Sequence, residues 1–139
     1  MPREGDILTR PDPSVRLMHG SPWEYDRHIP LFFVGAGVTP GRYAAPVVQQ
    51  DVPVTLASVL GVSMPPTATG RVLPGVRRSS APPRAVLFTV LDGMRVDYFD
   101  RYASDMPVLT ALRNKSAWFS NARVNYLPTN TGAGHATLA

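Results

Sequence analysis

The side chains that could do chemistry are scattered along this 139-residue sequence. Asp92 stands directly after the apolar run Ala85–Leu91, and open α/β sheets collect metals and substrates outside the carboxyl ends of their strands. Its plainer role is an Asp-Gly turn with Gly93 that caps the next helix. Thr129 and Thr131 sit in a proline-led loop that opens into Gly132-Ala133-Gly134. A hydroxyl at a helix start sees free N–H donors and the positive dipole end, which suits an anion; plain capping is the alternative. His135, four residues after Thr131, shares its helical face and could orient the hydroxyl, bind metal, or simply pack. His19 opens the turn His19-Gly20-Ser21-Pro22 with Glu24 and Asp26 nearby, but a metal role requires ligands from elsewhere. His28, beside Arg27, reads as an exposed loop histidine. No CxxC, HExxH, GxSxG or P-loop pattern is present.

The pattern that must position these groups is α/β. Ile29–Val34 is a short apolar, aromatic run stopped by Gly35 and Gly37, which predicts a strand. Residues 41–50 read as a loop. Asp51 is placed to cap a helix that Pro53 enters in its first turn, with Leu56, Val59 and Leu60 on one face and Gly61 as the stop. Ala85–Leu91 is the clearest buried strand of the sequence. Residues 94–104 are helical or turn-like, with Tyr98 and Tyr102 one turn apart. Met106–Lys115 predicts a helix with Leu109 and Leu112 inward, followed by a strand around Ala117–Val124.

Composition narrows the class. Hydrophobic residues make up 44% and charged residues 17%, which is globular. Fifteen prolines exclude a bundle of long helices, because interior proline breaks the backbone ladder. The absence of cysteine excludes disulfides, thiolate zinc sites and Cys nucleophiles. The net charge of +4 concentrates in the second half, largely through Arg71, Arg77, Arg78 and Arg84. These arginines lie among Pro, Ser and Gly without interleaved aromatics, so a solvated connector at 74–84 is expected and not a nucleic-acid footprint. Residues 1–18 are irregular and lack the apolar core of a signal peptide. The longest apolar run, Leu31 to Val38, is far below the roughly 20 residues of a membrane helix. The chain as written is therefore expected to be soluble and unexported.

Two stretches resemble a known family. VLFTVLDGMRVDYFDRY and FSNARVNYLPTNTGAGHATLA are similar to the amino-terminal part of the alkaline phosphatase superfamily, in particular its type I phosphodiesterase/nucleotide pyrophosphatase branch. There the first strand ends in a zinc-binding Asp, matching Asp92, and a PTxT loop carries the nucleophile at its second Thr, matching Thr131. HGSPWEYDRHIPLFFVGAGVTPGRY, DVPVTLASVLGV and TGRVL resemble the carboxy-terminal part, whose His-Gly-Ser histidine binds zinc and matches His19. The C-terminal-like segment (about 15–73) thus precedes the N-terminal-like one (about 84–139). The implied organisation is 1–73, a linker at 74–84, and 85–139, forming a partial mixed or parallel sheet flanked by helices.

The resemblance implies metal-dependent hydrolysis of phosphate mono- or diesters through a phosphothreonine at Thr131. Two zinc ions would serve it, Asp92 and Thr131 as metal ligands and His19 on the other ion. The family's middle region, with its further Asp and His ligands, is absent, so weak zinc binding, negligible turnover and association with a complementary segment are expected. A truncated reading frame, a remnant of two fused genes and a circular permutant all fit the reversed order. The contrasting reading is a non-catalytic fragment or interaction module with a vestigial site; a sulfatase-like hydrolase fits less well without Cys. Members of the family are often periplasmic or secreted.

Overall fold

The computed structural model describes residues 19–81 and 83–139; the irregular stretch expected at 1–18 lies outside them. In chain order the elements are α1 (Glu24–Arg27), β1 (Phe32–Phe33), β2 (Gly41–Tyr43), β3 (Val47–Val48), α2 (Asp51–Leu60), α3 (Tyr98–Arg101), α4 (Pro107–Asn114), β4 (Ala117–Phe119), β5 (Ala122–Arg123) and α5 (Thr131–Leu138). Strand pairing ties the second half of the chain to the first. β4 lies between β1, antiparallel to it, and β2, parallel to it, while β3 and β5 form a separate parallel pair. The result is a small α/β fold with mixed and parallel sheets flanked by helices.

The core forms where these pairings meet. Ala117, Phe119 and Ala122 are fully buried against Val47, Val59, Leu73 and Val76. Phe119 stacks on Tyr43 at 5.2 Å and meets Phe33 edge-on at 6.1 Å, so one ring locks both flanking strands to β4. Helix α2 stops at Gly61, whose φ of 70° is the left-handed conformation that glycine adopts without steric cost.

Several expectations are corrected. Residues 41–50 are not a loop but carry β2 and β3; strands of two or three residues are too short to show a period. Gln50 and not Asp51 stands at the N-cap position of α2, and its side chain makes no capping hydrogen bond. The buried Asp51 carboxylate instead accepts the N–H groups of Val48 at 2.9 Å and Arg71 at 2.9 Å, fastening residues around Arg71 to the helix start. Leu60 and Leu112 face solvent. The connector is not wholly solvated: Val76 is buried and bridges to Val38. His28 is half-buried and hydrogen-bonds the Ser120 carbonyl at 3.0 Å.

The largest correction concerns 85–91. The run is not a buried strand: no described strand pairs with it, and Leu87 is 91% exposed. Val86, Phe88 and Val90 on one face and Leu87 and Leu91 on the other are the signature of a strand covered on both sides. Burial of such a run is conferred by neighbours, and none of the described residues supplies them.

Candidate active site

Helix α5 begins at Thr131, and its start is built by Asn130 and not by a threonine. The Asn130 side chain accepts the Ala133 N–H at 3.0 Å, the N-cap interaction. Thr129 is buried, and its hydroxyl donates to the Ser21 carbonyl at 3.0 Å. Thr131 is exposed, so the two hydroxyls are sorted: one fastens the loop and the other faces solvent. A side chain at Gly132 would meet only Asn130 Oδ1 at 3.9 Å, leaving the approach to the helix start open.

Two remote side chains converge on Thr131. Its Oγ1 donates to Asp92 Oδ2 at 2.9 Å and lies 3.4 Å from His19 Nε2. His19 Nε2 is in turn 3.5 Å from Asp92 Oδ1. The other ring nitrogen, His19 Nδ1, faces the Thr129 carbonyl at 2.9 Å. A carbonyl only accepts, so Nδ1 carries a proton there and Nε2 is the nitrogen that faces Asp92 and Thr131.

The turn that presents His19 is itself braced. Ser21 donates its N–H to Asp26 Oδ2 at 2.8 Å and its hydroxyl to the same oxygen at 2.5 Å. Helix α1 is then stitched to β5 by the Arg123–Glu24 ion pair at 2.8 Å and by Val124 N–H to the Arg27 carbonyl at 2.9 Å. His135 does not join the cluster as a ligand; its Nδ1 hydrogen-bonds the Thr131 carbonyl one turn back at 2.9 Å.

A second brace lies behind the helix. The side chain of Gln49, itself buried, donates to the Gly134 carbonyl at 3.0 Å and accepts the Tyr126 hydroxyl at 2.6 Å. A Cβ at Gly134 would come within 3.3 Å of that hydroxyl, so the helix packs tightly there. Burial holds the Tyr126 phenol above its ordinary pKa, against the opposing pull of its Thr137 and Gln49 hydrogen bonds. Sequence reasoning missed Gln49, Tyr126, Ser21 and Asn130. The Ser-Pro-Trp-Glu spacing and the Asn before Thr131 were the available signals; nothing local points to Gln49.

The cluster brings together one imidazole nitrogen, one carboxylate and one hydroxyl; the first two are donor types that zinc takes. The two Asp92 oxygens are divided between the partners: Oδ2 takes the Thr131 hydroxyl at 2.9 Å and Oδ1 lies 3.5 Å from His19 Nε2. Among the described residues, however, no cluster of three or more His, Asp or Glu stands ready to hold an ion. An apolar groove of about 350 Å³ is lined by Pro107, Val108, Ala111, Leu112 and Lys115, none of which belongs to the cluster.

Asp92 and Thr131 both fall in a segment that has recognisable relatives. Residues 86–139 match the family model for Type I phosphodiesterase / nucleotide pyrophosphatase. The phosphodiesterase match begins in the uncovered apolar run and ends with α5, so it contains two of the three converging side chains. It covers less than half of the chain, and His19 lies outside it. No curated protein and no solved structure matches the chain. The similarity is thus to part of a phosphodiesterase domain and is confined to residues 86–139; no helix among the described residues is long and apolar enough to cross a membrane.

Proposed function

We propose that this chain carries the nucleophile side of a phosphate-ester hydrolase site, with Thr131 as the nucleophile. The observation that supports this most is the convergence of Asp92 and His19 on the Thr131 hydroxyl from 39 and 112 residues away. Thr131 Oγ1 forms a bond to phosphorus as the ester P–O bond breaks and the leaving group departs as an alkoxide that takes a proton from solvent. The Thr131 proton passes first to Asp92 Oδ2, to which it is already hydrogen-bonded. Water then attacks the phosphothreonine and gives one proton to solvent, the Oγ1–P bond breaks, and the proton held on Asp92 returns to Oγ1. His19, with its ring oriented by the Thr129 carbonyl, holds its Nε2 at the reacting oxygen.

His19 Nε2, the Asp92 carboxylate and Thr131 Oγ1 are the residues that would hold zinc. When bound, zinc supplies Lewis acidity that lowers the hydroxyl's pKa and offsets phosphate charge. Mono- and diesters are both candidate substrates. A complementary polypeptide segment, pairing with residues 85–91 and adding ligands, is the partner that the exposure of that run favours.

The second reading, a non-catalytic module with a vestigial site, is favoured by the absence of a fuller ligand cluster among the described residues. A single-turnover assay separates the two. The chain is incubated with zinc and p-nitrophenyl phosphate or bis-p-nitrophenyl phosphate, and p-nitrophenol release is followed at chain concentrations near that of substrate. Release that requires zinc and Thr131 supports the hydrolase; none from a folded, zinc-loaded chain supports the module.

A further inference from the structure

Residues 84–92 carry a symmetry that the fold leaves unused. From Ala85 to Leu91 the chain runs without a turn or bend, and every residue from Arg84 to Gly93 is exposed. Among the described residues, no main-chain N–H or C=O from Arg84 to Val90 has a main-chain hydrogen-bond partner. Such a row of open donors and acceptors is a template for another strand. The row has fixed ends. Pro83 has no N–H to offer a ladder, and Gly93, at φ 67°, lies in the turn that follows Leu91.

We propose that residues 84–92 are the interface of a two-fold dimer, in which a second copy of this chain adds the same strand antiparallel with Phe88 at the axis. Charge complementarity selects this occupant and this register. About Phe88, Arg84 stands opposite Asp92 at both ends, Val86 opposite Val90, and Phe88 opposite itself. Alternate residues of a strand share a face, so the ion pairs flank a continuous apolar contact. Opposite charges directly across an antiparallel pair are favourable and like charges unfavourable. A parallel pair in register would set Arg84 on Arg84 and Asp92 on Asp92. Antiparallel slips of two residues put Arg84 opposite Val90 or Met94 and lose both ion pairs. The Phe88-centred register also sets Pro83 opposite Gly93, so the breaks in the two strands coincide. Both charges are available: Arg84 makes no ion pair among the described residues, and the Asp92 side chain is 55% exposed. The contact is isologous, each residue meeting in the second copy the residue that meets it in return. A two-stranded ribbon is marginal by itself, so the dimer is weak and concentration-dependent. Nothing in this pairing rests on the phosphate-ester reading, although Asp92 belongs to both.

The test is the assembly state of the full 139-residue chain, read by sedimentation velocity over a concentration series. A monomer–dimer equilibrium is expected. Arg84→Asp and Asp92→Arg each set like charges opposite one another at both ends, and each should weaken dimerisation roughly tenfold or more. Mixed in equal amounts, the two variants present opposite charges at both ends, and a mixed dimer should return. Direction is read by crosslinking. The chain has no cysteine, so Val86→Cys and Val90→Cys each introduce a single thiol. With a short thiol–thiol crosslinker the mixture of these two should join residue 86 to residue 90, in preference to 86–86 or 90–90. Far-UV circular dichroism checks that each variant is folded, and either charge variant alone reports the ion pair if the other is lost. A chain monomeric across the series, a dimer indifferent to both charge changes, or predominant 86–86 crosslinks would overturn the proposal. A monomer would leave the run to a complementary polypeptide of different sequence. Thr131 chemistry is decided separately by the single-turnover assay.

Discussion

His19 Nε2 lies 3.4 Å from Thr131 Oγ1 across 112 residues of sequence. The contact depends on Thr129, whose carbonyl orients the imidazole and whose hydroxyl is anchored on Ser21. The two threonines therefore have opposite signatures. Thr129→Ala removes a buried hydrogen bond and leaves the Ser21 carbonyl short of a partner, so it should cost about 1–2 kcal/mol of stability. Thr131→Ala changes an exposed residue and should stay within about 0.5 kcal/mol while abolishing any covalent phosphoryl adduct. Urea unfolding of the two variants checks the first contrast.

Gln49→Ala should destabilise the chain by about 1–3 kcal/mol, because it deprives Gly134 O and the Tyr126 hydroxyl of a partner at once. Gln49→Glu keeps the acceptor for Tyr126 and loses the donor to Gly134, so its cost should be intermediate if it remains uncharged there and larger if it ionises. Chemical denaturation compares the two.

Tyr126 gives a pH prediction with a definite sign. Burial raises its folded-state pKa above the unfolded phenol value of about 10. A raised pKa contributes stability that is fully present below that value and is lost as pH rises through the folded pKa. Stability should therefore fall on the alkaline side of about pH 10, and Tyr126→Phe should flatten that limb. Phenolate absorbance and thermal melts across the alkaline range measure both.

The uncovered run 85–91 predicts association. Seven consecutive uncharged residues with high strand propensity and no proline are an unprotected edge. Leu87→Lys alters a side chain that is 91% exposed, so it should change stability by less than about 0.5 kcal/mol. Light scattering should nevertheless show markedly less self-association than the parent chain.

These cases mark what could be read from residues in order. The α2 stop at Gly61 and the α4 helix follow from local rules, and so does the Tyr98–Tyr102 edge contact at 5.4 Å. The short strands β2 and β3 escaped because burial and pairing, not periodicity, define strands of that length. Leu73 and Val76 are core residues inside a Pro/Arg-rich stretch, where composition argues for solvent and a single bridge to Val38 decides otherwise. Ala85–Leu91 failed in the opposite direction, since its pattern states what cover it requires and not whether cover is present. At the site, Asp92, Thr131 and His19 could be singled out by type and turn context. Their mutual distances could not, because the pairing of β4 and β5 with residues of the first half is what brings these segments together. Gln49 was invisible for the same reason: its partners are 77 and 85 residues away.

The most direct test of Thr131 as nucleophile is the location of the covalent adduct. The zinc-loaded chain is mixed with p-nitrophenyl phosphate, quenched in acid within one turnover, digested and mapped by tandem mass spectrometry. Phosphate should be found on Thr131, remain in Thr129→Ala, and vanish in Thr131→Ala. Phosphate on Thr129, its persistence in Thr131→Ala, or no adduct on a folded and zinc-loaded chain would contradict it.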